Sequence, residues 1–262
     1  MQRSTVCVFA ASIVIVLLCK WHQVNSPDYI WHRLPQYQVV ASELCGMNHD
    51  ISTNEEFESV IATYRDTLRT TMETTLCISD EIMVARRPDD KLNRLAVDIL
   101  LDVAQTEAHK RGLPRPTVAL MNIGGLRDAL PEGPITLGNV YKVSPFDNKI
   151  VILELDSAQM EETLQHLAER GGEALAGASL QISGGEAHDI LVAGEQLSGK
   201  KTYILATVDY LAQGGDSFFS LTRTKSYNLD IVYHDALADY FRQLGKKGGH
   251  VKAPTDVRVV YK

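Results

Sequence analysis

Two long segments of the chain repeat apolar residues at the three- and four-residue spacing of an amphipathic helix. In residues 52–72 the apolar side is formed by Phe57, Val60, Ile61, Tyr64 and Leu68. In residues 90–112 it is formed by a longer series of Leu, Ile, Ala and Val, and Gly112 follows where a left-handed residue can end a helix. Both segments begin with residues that cap helix starts. The pattern therefore predicts two helices.

Shorter apolar runs predict strands, because they have the length and composition of buried strands. These runs are residues 116–120, 149–156, 178–183, 189–194 and 201–208. Two further helical patterns occupy residues 157–172 and 234–249, and each ends at a pair of glycines. Helices and strands are thus mixed along the chain, without the strict alternation of a doubly wound sheet. We expect an α+β fold, a mixed α/β domain.

The N-terminus has the pattern of a secretory signal peptide. Arg3 is followed by sixteen uncharged residues and then by Lys20. This run is shorter than the roughly 20 residues that span a bilayer, so a membrane anchor is the second alternative, and lipidation at Cys19 is a third. We expect a protein exported to the periplasm or the extracellular space, without a stable membrane span.

The remaining chain is divided by the helical pattern at residues 52–72. We assign residues 1–26 to the signal peptide or anchor, 27–73 to an extension with a linker-like helix, and 74–262 to the main domain. Export would leave Cys45 and Cys77 in an oxidising compartment, where a disulfide is permitted. The alternative is two unpaired thiols, with Cys77 buried in a strand, and the sequence leaves both open.

Composition and charge exclude one class of partner. The 262 residues are 45% hydrophobic, which is enough to bury a sizeable core. They include 26 basic and 33 acidic residues, for a net charge of −7. A nucleic-acid partner would require a basic face, so we expect none.

The motifs of several enzyme classes are missing from this sequence. Its eight histidines form no His-x-His or His-Glu-x-x-His pattern, and the short run Met47–Asp50 is interpreted as a surface turn. Gly-x-Ser-x-Gly and the glycine-rich phosphate loops are missing as well. We assign the chain no catalytic residue, no metal ligand and no bound cofactor, and interpret it as a binding domain.

Groups suited to recognition lie beside two glycine pairs and one proline. Asn122 and Arg127 flank Gly124 and Gly125, Phe146 follows Pro145, and Tyr210 and Asp216 flank a second glycine pair. Arginine binds anions, asparagine can hydrogen-bond to a base edge, aromatic rings stack on planar ligands, and a carboxylate accepts from ribose hydroxyls. Each residue alone is also compatible with a role in the core, in a turn or on the surface.

Four blocks in one order resemble the C-terminal domain of secreted 5′-nucleotidases. They are Asn-x-Gly-Gly-Leu-Arg, Gly-Pro-Ile-Thr, Pro-Phe-Asp-Asn and Tyr-Leu-Ala-Gln-Gly-Gly-Asp. The resemblance covers roughly residues 74–262 and implies a four-layer α-β-β-α fold. It implies that Phe146 and Tyr210 stack on the base, that Asp216 holds the ribose, and that Asn122 and Arg127 contact the nucleotide. It places a further arginine only loosely, at Arg86 or Arg87.

In that family a two-metal phosphatase domain precedes this one and supplies the catalytic ligands, whereas here 51 residues precede the first predicted helix. We therefore expect no phosphate ester hydrolysis by this chain alone. The leading hypothesis is an exported component that recognises a nucleotide or nucleoside and completes a 5′-nucleotidase with a separate metallophosphatase, whose subunit would hold the divalent metals. The alternative is a non-catalytic nucleotide-binding module or remnant.

Overall fold

A computed structural model describes residues 54–199 and 201–262. The elements described below lie in one compact unit, Glu56–Lys262, except that the first helix begins one residue earlier, at Glu55. Its helices are α1 Glu55–Met72, α2 Lys91–Arg111, α3 Leu137–Val143, α4 Ser157–Glu169, α5 Asp209–Ala212 and α6 Tyr233–Lys246. Short 3-10 turns lie at Ile123–Gly125, Gly215–Ser217 and Phe219–Arg223. Every helix and strand predicted above is present, with bounds that differ by a few residues.

The strands form three sheets. The strands are β1 Thr75–Ser79, β2 Val118–Met121, β3 Gly133–Thr136, β4 Lys149–Leu155, β5 Ala174–Ala176, β6 Ala178–Ser183, β7 Glu186–Val192, β8 Glu195–Gln196, β9 Tyr203–Val208, β10 Lys225–Val232, β11 His250–Val251 and β12 Val259–Tyr261. The five-stranded sheet has the order β10-β4-β9-β2-β5, and the two smaller sheets have the orders β11-β1-β3 and β12-β6-β7-β8. The expected mixed α/β architecture is confirmed.

Helix α2 anchors the hydrophobic core. The Asp90 side chain accepts a hydrogen bond at the helix start, and Gly112 ends the helix in the left-handed conformation with φ 63°. The helix packs against β2, β4, β5 and β9 of the five-stranded sheet and against α6. Leu100 on the helix and Ile152 on the sheet are fully buried, and each such side chain contributes roughly 1.5–3 kcal/mol. The sheet that carries the candidate site is thus held firmly from one side.

Helix α1 forms as predicted, but its apolar side is not part of the core. Phe57, Val60, Ile61, Tyr64 and Leu68 are between 45% and 70% exposed. The three- and four-residue spacing correctly predicted the helix, since it reflects the period of the backbone. The expectation of burial, which the same pattern usually carries, does not hold for this helix.

Cys77 lies on β1 with a free, buried thiol. The expected burial of Cys77 in a strand is confirmed. The signal peptide, Cys45 and the run Met47–Asp50 lie outside the described residues. Among the helices that the structure describes, none is long and apolar enough to cross a bilayer.

Candidate functional site

Three separate segments meet at one edge of the five-stranded sheet. Strand β2 pairs with β9 in parallel, so both strands end at this edge, and β4 pairs with β9 in antiparallel, so β4 begins there. The segment Asn122–Arg127 follows β2, Phe146 precedes β4, and Tyr210 follows β9. The topology therefore brings together residues that lie nearly ninety positions apart in the sequence.

A cavity of about 440 Å³ lies at this edge. All seven residues predicted to bind a ligand line it: Asn122, Gly124, Gly125, Arg127, Phe146, Tyr210 and Asp216. Three residues outside that set complete the lining: Arg87, Asn148 and Arg170. The volume is in the range of small-ligand sites, which are typically about 300–1,000 Å³.

The two aromatic side chains are available to a planar ligand. Phe146 is 43% exposed and Tyr210 is 42% exposed, although both line a concave surface. The guanidinium carbon of Arg127 lies 5.9 Å from the centroid of the Phe146 ring, within the range of a cation–π contact. Gly215 is required beside Tyr210, because a Cβ atom there would lie 2.5 Å from the ring.

The carboxylate of Asp216 is held by three side chains. Its Oδ1 accepts the Tyr210 hydroxyl at 3.1 Å, and its Oδ2 accepts Nδ2 of Asn122 at 2.9 Å and lies 3.1 Å from an Arg170 nitrogen. A carboxylate offers about four acceptor sites, so one remains for a ligand donor. The side chain keeps 24% of its surface exposed. The residue is fixed in place and still able to accept a further hydrogen bond.

Asn122 presents an unsatisfied polar atom at the cavity. Its Nδ2 donates to Asp216, and this contact fixes the orientation of the amide. Its Oδ1 is buried and has no hydrogen-bond donor in the part of the chain that the structure describes. A buried oxygen without a partner costs about 1–3 kcal/mol.

The structure also identifies site residues that the sequence did not. Of the two loosely placed arginines, Arg87 lines the cavity, whereas Arg86 contributes its backbone carbonyl to Asn93. Arg170 and the fully buried Glu173 were not predicted. They flank the glycine pair after α4, and a charged pair beside such glycines is the same signal that pointed to Arg127.

The cavity combines a cationic wall with an apolar one. Arg87, Arg127 and Arg170 contribute three positive charges, which Asp216 and Glu173 partly neutralise. Phe146 and Tyr210 supply the flat apolar surfaces. Such an arrangement suits a planar ring joined to a polar, anionic group. Within residues 54–199 and 201–262, no three His, Cys, Asp or Glu side chains are grouped as metal ligands, so we derive no metal-dependent step from these residues.

Sequence comparison finds a family match over most of the domain. The family model described as 5′-nucleotidase, C-terminal domain, matches residues 69–223. Protein UshA of Yersinia enterocolitica is 30% identical over 131 residues, which are 48% of this chain and 24% of UshA. The trifunctional nucleotide phosphoesterase protein YfkN of Bacillus subtilis is 30% identical over 194 residues, which are 66% of this chain and 12% of YfkN. The chain thus spans about a quarter or less of these relatives.

Comparison with solved structures shows the same fold. The 5′-nucleotidase precursor of Thermus thermophilus superposes with a TM-score of 0.66 at 22% identity, over 78% of this chain and 42% of that one. A putative 5′-nucleotidase of Staphylococcus aureus superposes with a TM-score of 0.64 at 16% identity, over 82% of this chain and 46% of that one.

Proposed function

The chain belongs to the 5′-nucleotidase C-terminal domain family, and on this premise we propose that its cavity binds a nucleotide or nucleoside such as AMP or adenosine. The observation that carries the proposal is that all seven predicted residues, from three separate segments, line one cavity. A set chosen by chance would be spread over the surface. The exposed rings match the chemistry of a base, and the arginines match that of a phosphate.

Each part of the ligand has a group suited to it. The base stacks on Phe146 and Tyr210, and stacking is worth about 0.5–1.5 kcal/mol per aromatic pair beyond buried area. The ribose hydroxyls donate to the remaining acceptor site of Asp216. The phosphate faces Arg127, an exposed cation that lines the cavity beside the glycine turn. We expect weak binding, because the two rings, one free acceptor and a half-neutralised cationic wall make a modest set of contacts.

We further propose that this domain is the recognition component of a 5′-nucleotidase-type hydrolase in nucleotide breakdown. Cleavage of the phosphate ester would need a metallophosphatase domain or chain, which would hold the divalent metals. We propose an exported location, periplasmic or extracellular, on the basis of the N-terminal signal pattern. The alternative function, a nucleotide-binding module without an enzymatic role, predicts the same binding but no gain of hydrolysis when a metallophosphatase of this family is added.

Calorimetric titration of AMP and adenosine into the purified chain tests the binding proposal. We expect a saturable signal with the wild type and none with the double variant Phe146→Ala/Tyr210→Ala. The matched control is Tyr64→Ala, which removes an exposed aromatic ring from α1, away from the cavity. Binding that survives in the double variant, or is equally lost in the control, would contradict the proposal.

A further inference from the structure

Glu173 is a charged side chain buried behind the cavity wall. Its side chain has no exposed surface. Its Oε1 accepts Nη2 of Arg87 at 2.5 Å and Nε of Arg170 at 2.7 Å, and its Oε2 accepts the backbone N–H of Ile123 at 2.5 Å. Burial of a carboxylate costs several kcal/mol unless it is paired and hydrogen-bonded, and here the two guanidinium groups and the backbone N–H offset that cost.

The backbone brings Glu173 to the site with little freedom. Strand β5 pairs with β2 so that Ala174 lies opposite Met121, which places Glu173 beside the start of the glycine turn. The preceding residue, Gly172, has φ +104°, and a Cβ atom there would lie 2.5 Å from the carbonyl oxygen of Pro88. Only glycine fits this approach. The Glu173 carboxylate therefore lies between the segment before α2, which carries Arg87, and the turn after β2, which carries Ile123.

Each donor to Glu173 either lines the cavity or lies in a turn that lines it. Arg87 and Arg170 line the cavity directly. Ile123 begins the turn that contains Gly124 and Gly125, which also line it. One carboxylate thus ties together the segment before α2, the end of α4 and the turn after β2.

Arg170, which Glu173 holds in place, in turn contacts Asp216. Its guanidinium contacts Oδ2 of Asp216 at 3.1 Å and donates to the backbone carbonyl of the same residue at 3.3 Å. Nε2 of His166 lies 2.9 Å from that carbonyl oxygen. Asp216 has φ +53°, a conformation that costs a non-glycine residue on the order of 1 kcal/mol or more. The contacts from α4 hold the residue in this conformation.

We propose that Glu173 and Arg170 are positioning residues for the ribose side of the cavity. Glu173 fixes the guanidinium of Arg170, and Arg170 fixes both the backbone and the carboxylate of Asp216. The inference rests on the proposed nucleotide site and adds to it that ribose recognition depends on Arg170 in the cavity wall and on Glu173 buried behind it. Without Arg170, the rings of Phe146 and Tyr210 still stack on a base, whereas Asp216 no longer points its free acceptor at the ribose.

The test compares adenosine with 2′,3′-dideoxyadenosine, which lacks the 2′ and 3′ hydroxyls of the ribose. The wild type should bind adenosine about tenfold more tightly, as expected for a hydrogen bond to a charged group. Arg170→Gln should lower that ratio to about one, while its affinity for the dideoxy compound stays within about threefold of the wild type. Glu173→Gln should lower the ratio in the same way. The control is Glu161→Gln, which changes an exposed glutamate on α4.

The outcomes separate this inference from the proposed function. If the wild type binds neither compound, or binds both equally, the proposed site or its ribose contact is wrong. If the wild type discriminates and Arg170→Gln discriminates equally well, the positioning role is wrong. A parallel loss of affinity for both compounds in a variant that melts like the wild type also overturns it, because it would show a general effect on the cavity. If Glu173→Gln fails to fold, the affinity ratio of Arg170→Gln for adenosine over the dideoxy compound tests the positioning role by itself.

Discussion

The hydroxyl of Tyr210 donates a hydrogen bond to Oδ1 of Asp216 over 3.1 Å and accepts the backbone N–H of the same residue over 3.2 Å. One aromatic side chain therefore has two roles in the cavity. Its ring forms part of the apolar wall, and its hydroxyl orients the Asp216 carboxylate. Among the described residues that line this cavity, Asp216 is the only one with a carboxylate. Separate substitutions can remove the hydroxyl alone or the hydroxyl with the ring.

Tyr210→Phe should weaken adenosine binding about three- to tenfold, the range expected for one net hydrogen bond. The ring remains in place, whereas Asp216 loses one of its donors. Tyr210→Ala should weaken binding further, because stacking is lost as well. Calorimetry with both variants, and with Tyr64→Phe as the control, measures the difference. Equal losses in the two Tyr210 variants would show that the hydroxyl carries the whole effect.

Gly215→Ala should displace the Tyr210 ring by a steric clash. The added Cβ would lie 2.5 Å from two atoms of the Tyr210 ring, Cε1 and Cζ, and from the Tyr210 carbonyl oxygen, so the backbone or the ring must move. We expect a loss of stability of about 1–3 kcal/mol, as for other overpacked sites, together with weaker adenosine binding. The control is Gly199→Ala, where a Cβ would meet nothing within 4 Å. Thermal melts and titrations that match the wild type would show that the contact relaxes at no cost.

Arg127→Ala should leave the melting temperature nearly unchanged, because an exposed charge contributes little to folding. It should weaken AMP binding about tenfold, as expected for a charge-assisted contact, and change adenosine binding little. In a mixture with a metallophosphatase of this family that gains AMP hydrolysis, it should also lower the rate. Arg115→Ala, at an exposed position outside the cavity, is the control. A large drop in melting temperature would show instead that Arg127 is structural.

The purified chain should release no phosphate from AMP with added zinc, manganese or cobalt. Two-metal catalysis needs ions about 3.5–4 Å apart, held by several converging ligands, and the sequence lacks the motifs that supply them. A phosphate-release assay with and without chelator measures this. Metal-dependent release by homogeneous protein, abolished by the chelator, would show that the chain holds its own catalytic centre.

Alkaline pH should destabilise the domain partly through Cys77. Burial raises the pKa of its thiol to about 11, from an unfolded value of about 9. Below pH 9 the thiol is protonated in both the folded and the unfolded state, so its contribution to the free energy of unfolding is fully retained. Between pH 9 and 11 the thiol ionises mainly in the unfolded state, so the free energy of unfolding falls by up to about 3 kcal/mol. Melts of wild type and Cys77→Ala across this range should show a shallower decline in the variant, and parallel curves would contradict the assignment.

The sequence was sufficient for most of the fold and for the cavity residues that lie in contiguous motifs. Arg127 and Tyr210 could be found because each lies within four residues of paired glycines, and a family resemblance supplied their order. Helix α2 and strand β4 could be found because their apolar patterns are long and regular. Strand β10 was missed although Tyr227, Leu229 and Ile231 alternate with polar residues, which is the pattern of a half-buried strand.

The sequence was not sufficient for the groups behind the cavity wall. Glu173 acts at the site only because β5 pairs with β2 in the register that sets Ala174 opposite Met121. No local pattern encodes the pairing of two short strands more than fifty residues apart. The contact of His166 with the backbone of Asp216 likewise depends on how α4 lies beside the turn after β9.

The most direct test of the nucleotide site is a crystal structure of the chain with AMP at a saturating concentration. The account predicts that the adenine ring lies between Phe146 and Tyr210 and that the ribose hydroxyls are within hydrogen-bond distance of the Asp216 carboxylate. AMP bound at another surface, such as the hollow beside His166 and Phe219, or a cavity without electron density for the nucleotide, would contradict it.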